Sequence, residues 1–93
     1  MDWQTVRGLA AIQSELLTIT GHRFWLVGAT DSTVTVEVSS GRRHTISRAN
    51  LERAVELSRR GETLAGPSDY RKKVADDRPA YAWAILRKLG YVG

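Results

Sequence analysis

Thr33-Val34-Thr35-Val36-Glu37-Val38-Ser39 is the stretch on which the fold turns. In an extended chain Val34, Val36 and Val38 fall on one side and Thr33, Thr35, Glu37 and Ser39 on the other. β-Branched residues in strict alternation mark a strand with one face on a core and the other toward solvent. Upstream, Arg23 to Ala29 holds the dense apolar run Phe24-Trp25-Leu26-Val27, which can bury both faces. If Phe24, Leu26 and Gly28 point inward, Trp25 and Val27 share the opposite face with the Thr/Glu side of the second strand. Asp31-Ser32 supplies the first turn. Ser40-Gly41 supplies the second, because glycine tolerates the positive φ of a tight hairpin. A short third strand, Arg42 to Ile46, completes an antiparallel meander, the simplest pairing for such short connections.

Working outward, Trp3, Val6, Leu9, Ala10, Ile12, Leu16 and Leu17 recur at helical spacing, so a helix is expected from Trp3 to about Leu17, with Asp2 as N-cap and an exit at Thr18–Gly21. Gly8 weakens that helix by about 1 kcal/mol relative to Ala. Past the third strand, Ser47 is a good N-cap for a helix over Arg48 to Arg60, and Ile46 and Leu51 flank it as a hydrophobic staple. Leu51, Ala54, Val55 and Ser58 make its stripe, and Gly61 ends it. Ser68 caps a short helix to about Ala75, and Asp76-Asp77-Arg78-Pro79 breaks and restarts the chain. The last helix, Pro79 to Leu89, buries Ala82, Ile85, Leu86 and Leu89. It stops at Gly90, with Tyr91 folding back over Leu86. The expected fold is α+β: a three-stranded antiparallel meander with an N-terminal helix and three C-terminal helices, in the order α-β-β-β-α-α-α.

The 93 residues, 42% apolar and 26% charged, have room for one small domain, residues 1–93. Surface scaling buries roughly 64% of such a chain, enough for one core but not for a deep enclosed cavity as well. With no cysteine, a disulfide scaffold and thiolate zinc sites are excluded. The longest apolar run, Ala80 to Leu86, is far shorter than the ~18 residues of a membrane span. The first residues, Met1-Asp2-Trp3-Gln4, lack the basic and apolar regions of a signal peptide. A cytoplasmic setting without a membrane partner is expected.

Charge is distributed unevenly. Net charge is +4, yet residues 1–40 carry two bases against four acids and residues 41–93 carry twelve bases against six. Eleven of the fourteen bases are Arg, whose planar fork suits phosphate. A basic half on a small domain points toward a polyanion such as nucleic acid. Against this, Arg48, Glu52, Glu56 and Arg60 can neutralise one another along a helix, and Asp69 with Lys73 and Lys72 with Asp76 repeat the spacing. Removing these pairs leaves Arg42, Arg43, Arg53, Arg59, Arg71, Arg78, Arg87 and Lys88 less compensated. A charge run of this kind is ordinarily a solvated face.

On the last helix, Tyr81 with Lys88 and Trp83 with Arg87 flank the apolar stripe, an aromatic beside a base on each side, which suits stacking with phosphate contact. The last two helices could form a helix-turn-helix, although the acidic turn would repel phosphate. Arg42 and Arg43 at the hairpin tip could grip phosphates, or form a plain solvated turn. Catalysis has little support. His22 and His44 lack metal-binding spacing, no G-x-S-x-G elbow is present, and the scattered glycines form no phosphate loop. No cofactor and no metal are expected. The favoured expectation is a non-enzymatic binding module that contacts nucleic acid, DNA foremost, through Arg42, Arg43, Arg71, Arg78, Tyr81, Trp83, Arg87 and Lys88. The alternative is a protein-interaction or oligomerisation module using exposed Trp and Tyr, a reading favoured if helices cover only one face of the sheet.

Overall fold

The computed structural model describes residues 1–74 and 78–92. Helix α1 spans Trp3–Ala11, strands β1 to β4 span Glu15–Leu17, Arg23–Ala29, Thr33–Val38 and Arg43–Ser47, and helices α2 to α4 span Arg48–Arg59, Pro67–Val74 and Pro79–Lys88. The α+β class is as expected, but the sheet has four antiparallel strands, in the order β1-β2-β3-β4, rather than three.

The extra strand comes from the end of the segment read as one long helix. Helix α1 starts as expected, with the Asp2 side chain accepting from Gln4 N–H at 3.0 Å. It stops six residues early, because Gln13 takes φ +51°. Gln13 N–H then donates to Ala10 C=O and Ser14 N–H to Leu9 C=O, which is a Schellman ending. Ile12, placed on the helix stripe by its spacing, is 76% exposed. Leu16 instead reaches the core from β1, opposite Phe24 of β2. Pairing with an apolar strand satisfies the backbone and buries Leu16 together, which outweighs a helical spacing shared by only a few residues.

One further expectation fails within the sheet. The β2–β3 register shifts between Leu26 and Gly28, so that Gly28 pairs with Thr35 and Ala29 with Val34. The extra residue, Val27, reverses the alternation, and Gly28 lies on the outer face rather than inward. Gly41 turns the β3–β4 hairpin at φ +87°, as its neighbours suggested.

Helix α2 follows its signals closely. The Ser47 side chain accepts from Asn50 N–H at 3.3 Å, and Ile46 and Leu51 are both buried. Helix α3 begins one residue before the expected cap: Asp69, not Ser68, carries the side-chain bond, accepting from Ala65 N–H at 3.1 Å. That bond is the main reason the Asp69 carboxyl is held below the usual carboxylate range. The charges of Lys73 and Lys72 act in the same sense, and partial loss of hydration opposes them. The acidic turn Asp76-Asp77 and the Lys72–Asp76 pair lie outside the described residues. Helix α4 ends as expected, with Gly90 at φ +86° and Tyr91 N–H donating to Leu86 C=O at 2.9 Å.

One core joins Leu16, Phe24, Leu26, Val34, Val36 and Ile46 of the sheet to residues of all four helices. The buried strand residues all lie on a single face; α1, α2 and α4 pack against it, and α3 packs on α2 and α4. Helix α4 crosses that face from β4, where Tyr81 stacks on His44 at 6.0 Å, past Phe24, to β1, where Arg87 donates to Leu17 C=O at 3.3 Å. Helix α1 closes the other end through Trp3, whose indole N–H donates to Thr30 C=O at 2.7 Å. Among the described residues no helix is long and apolar enough to cross a membrane.

Candidate functional site

The opposite face of the sheet carries a row of four side chains in register across the four strands: Glu15, Trp25, Glu37 and Arg43. Each comes from the phase of its strand opposite the buried core residues. Arg43 Nε lies 3.1 Å from Glu37 and Arg23 Nε lies 3.5 Å from Glu15, which leaves half-buried Trp25 flanked by two paired carboxylates. Gly28, Thr35 and Thr45 form the next row, a flat patch of small side chains.

The three tryptophans divide sharply. The Trp3 indole donates to Thr30 C=O, and the Arg48 guanidinium lies 5.2 Å from its ring. The Trp83 indole donates to Leu64 C=O at 3.3 Å, and Arg87 lies 5.2 Å from its ring. Trp25 has neither a hydrogen bond nor a stacked cation among the described residues. A tryptophan that serves the core engages its N–H, because a buried donor without a partner is costly. Of the three, Trp25 is the one whose N–H has no partner among the described residues.

The basic residues do not gather as the sequence suggested. Arg43 is paired with Glu37, and Arg48 with Glu52, Arg60 with Glu56, Arg7 with Asp31, and Lys73 with Glu62 and Asp69 form further pairs. Arg42 lies at the hairpin tip, Arg53 and Arg59 on α2, and Arg71 and Lys72 on α3, all without an ion pair among the described residues. Arg78 adjoins β4 at the start of α4, whereas Arg87 and Lys88 reach β1 at its far end. The fold does bring one part of the hairpin to α4: Arg43, His44, Thr45 and Arg78 line an open cleft of about 300 Å³.

The aromatic flanks of α4 are corrected as well. Trp83 is 3% exposed, and Tyr81 packs against Phe24 and His44, so neither offers a free stacking face. Five consecutive residues of α4, Ala82 to Leu86, are buried. The middle of α4 is therefore enclosed, and its exposed residues lie at its two ends, with Arg87 and Lys88 at the C-terminal one. Among the described residues no cluster of His, Asp and Glu could hold a metal ion.

Trp25 was visible in the sequence through its position in the β2 alternation. Its isolation was not, because that depends on which face the helices choose. Comparison with protein-family models, with curated proteins and with solved structures finds no match for the chain, so its functional reading rests on this geometry.

Proposed function

We propose that this chain is a protein-interaction module whose binding surface is the uncovered sheet face centred on Trp25. The observation that carries this reading is the contrast among the three indoles: two are engaged by backbone carbonyls and arginines, and the third has no hydrogen bond or stacked cation among the described residues. A large aromatic with an unused donor, set in a flat patch and rimmed by paired charges, has the composition of an interface hot spot. The flanking carboxylates argue against a polyanion on this face, since phosphates would meet Glu15 and Glu37 on both sides of the ring.

A second reading, nucleic-acid binding, is favoured by the cleft where Arg43, His44 and Thr45 meet Arg78, with Arg42 at the adjacent hairpin tip. One pair of variants separates the two. Trp25→Thr puts a strand-favouring β-branched residue in its place and should weaken binding of a purified protein partner by about 2 kcal/mol or more. Arg42→Ala with Arg78→Ala, both outside the Trp25 row, should leave that partner's affinity nearly unchanged. Retention on duplex or single-stranded DNA at about 50 mM salt, lost in the double Arg variant and indifferent to Trp25→Thr, would reverse the order of the two readings.

A further inference from the structure

We propose that the exposed edge of β1, together with the C-terminal end of α4, forms a slot that takes an extended acidic segment of a partner polypeptide as an added strand. The proposal is independent of the Trp25 surface and goes beyond it.

The ladder geometry defines the slot. Ser14 C=O accepts from Leu26 N–H at 3.0 Å, and Thr18 N–H donates to His22 C=O at 2.9 Å. In an antiparallel pair hydrogen-bonded residues alternate, so Ser14, Leu16 and Thr18 bond to β2 and the backbone groups of Glu15 and Leu17 turn outward. Arg87 marks that direction, since its Nη2 donates to Leu17 C=O from outside the sheet at 3.3 Å. Glu15 N–H, Glu15 C=O and Leu17 N–H have no partner among the described residues. They face an open groove of about 380 Å³ lined by Glu15, Leu16, Leu17, Ala84, Arg87 and Lys88.

An open edge beside a groove is a template for strand addition, with backbone bonds giving affinity and side chains giving selectivity. Charge selects the occupant. Arg87 is held in place by the Trp83 ring and Leu17 C=O, and Lys88 has no ion pair among the described residues. The single acid, Glu15, is already paired with Arg23. Two cations thus meet the incoming strand against one neutralised carboxylate. Leu17, 49% exposed, provides apolar contact along the same edge. An alternating acidic and apolar strand fits both features.

The test uses fluorescein-labelled acetyl-Glu-Val-Asp-Val-Glu-Val-amide with the full chain, read by anisotropy and amide chemical shifts. Saturable binding is expected, with shifts concentrated on Glu15 to Leu17, Arg87 and Lys88. Lys88→Glu should weaken binding by on the order of tenfold, whereas Arg53→Glu, the same change in net charge on α2, should alter it by less than about twofold. N-methylation of alternate peptide nitrogens should abolish binding, because strand addition needs those donors. Equal binding of the methylated peptide, shifts confined to other residues, or no binding would overturn the proposal. It would equally fail if the edge amides responded to self-association of the chain or to oligothymidine and not to the peptide.

Discussion

The two faces of the sheet are built from the same strands and differ in almost every other respect. Leu26 and Val36 lie opposite each other on the inner face and are fully buried, while one residue away Trp25 and Glu37 lie opposite each other with no helix above them. The inner face consists of branched aliphatic and aromatic side chains that need no partner beyond close packing. Outside, Glu15 and Glu37 are paired with Arg23 and Arg43, and one large aromatic has no hydrogen bond among the described residues. The difference teaches that stability and recognition are separated here by the period-two alternation itself, so adjacent residues should respond very differently to substitution.

The sharpest test of that contrast compares neighbours. Phe24→Ala should destabilise the fold by about 3–5 kcal/mol, measured as a drop in the urea midpoint, because Phe24 is fully buried against Tyr81. Trp25→Thr should cost only about 1 kcal/mol in the same titration, its larger effect appearing in partner binding. If the two losses were equal, the outer face would be covered rather than free. Gln13→Gly should raise stability by about 0.5–1 kcal/mol, since Gln13 holds a left-handed conformation that glycine adopts without steric cost. That gain would confirm that the chain leaves α1 there to begin β1. Glu37→Gln should change stability by less than about 1 kcal/mol, as expected of an exposed cross-strand pair.

The smallest effect concerns pH and the helical layer. The folded Asp69 carboxyl is held below its unfolded value, so its contribution is fully present above the usual carboxylate range and is lost as pH falls through the lowered value. Between about pH 6 and pH 3, Asp69→Asn should therefore flatten the acid-induced fall in the urea midpoint. A variant as acid-sensitive as the parent would show that the Ala65 bond does not persist in solution.

Local signals were legible wherever one residue's chemistry set the backbone. The Asp2 and Ser47 caps, the Ile46–Leu51 staple, the Gly41 turn and the Gly90 ending could all be read directly. So was the alternation of β3. The reading failed at Ile12 to Leu17, where the apolar spacing fits either a helix or a strand and β2 decides which. It failed again at Gly28, because a bulge is one residue of register that local sequence does not announce. For the candidate site, Trp25 on the outer face followed from its place in the alternation. Trp83 is buried because the middle of α4 is covered by α3 as well as by the sheet side, which a two-flank projection does not represent.

What the chain determines by itself is therefore short-ranged: where helices start, where turns fold back, and which strand residues share a side. These follow from steric limits on φ and from hydrogen bonds spanning a few residues. Only the tertiary structure decided that the helices gather on one side of the sheet, that the arginines disperse to opposite edges, and that one indole of three has no hydrogen-bond partner among the described residues. Those outcomes depend on burying the largest apolar area at once, a sum over residues distant in sequence that no local window contains.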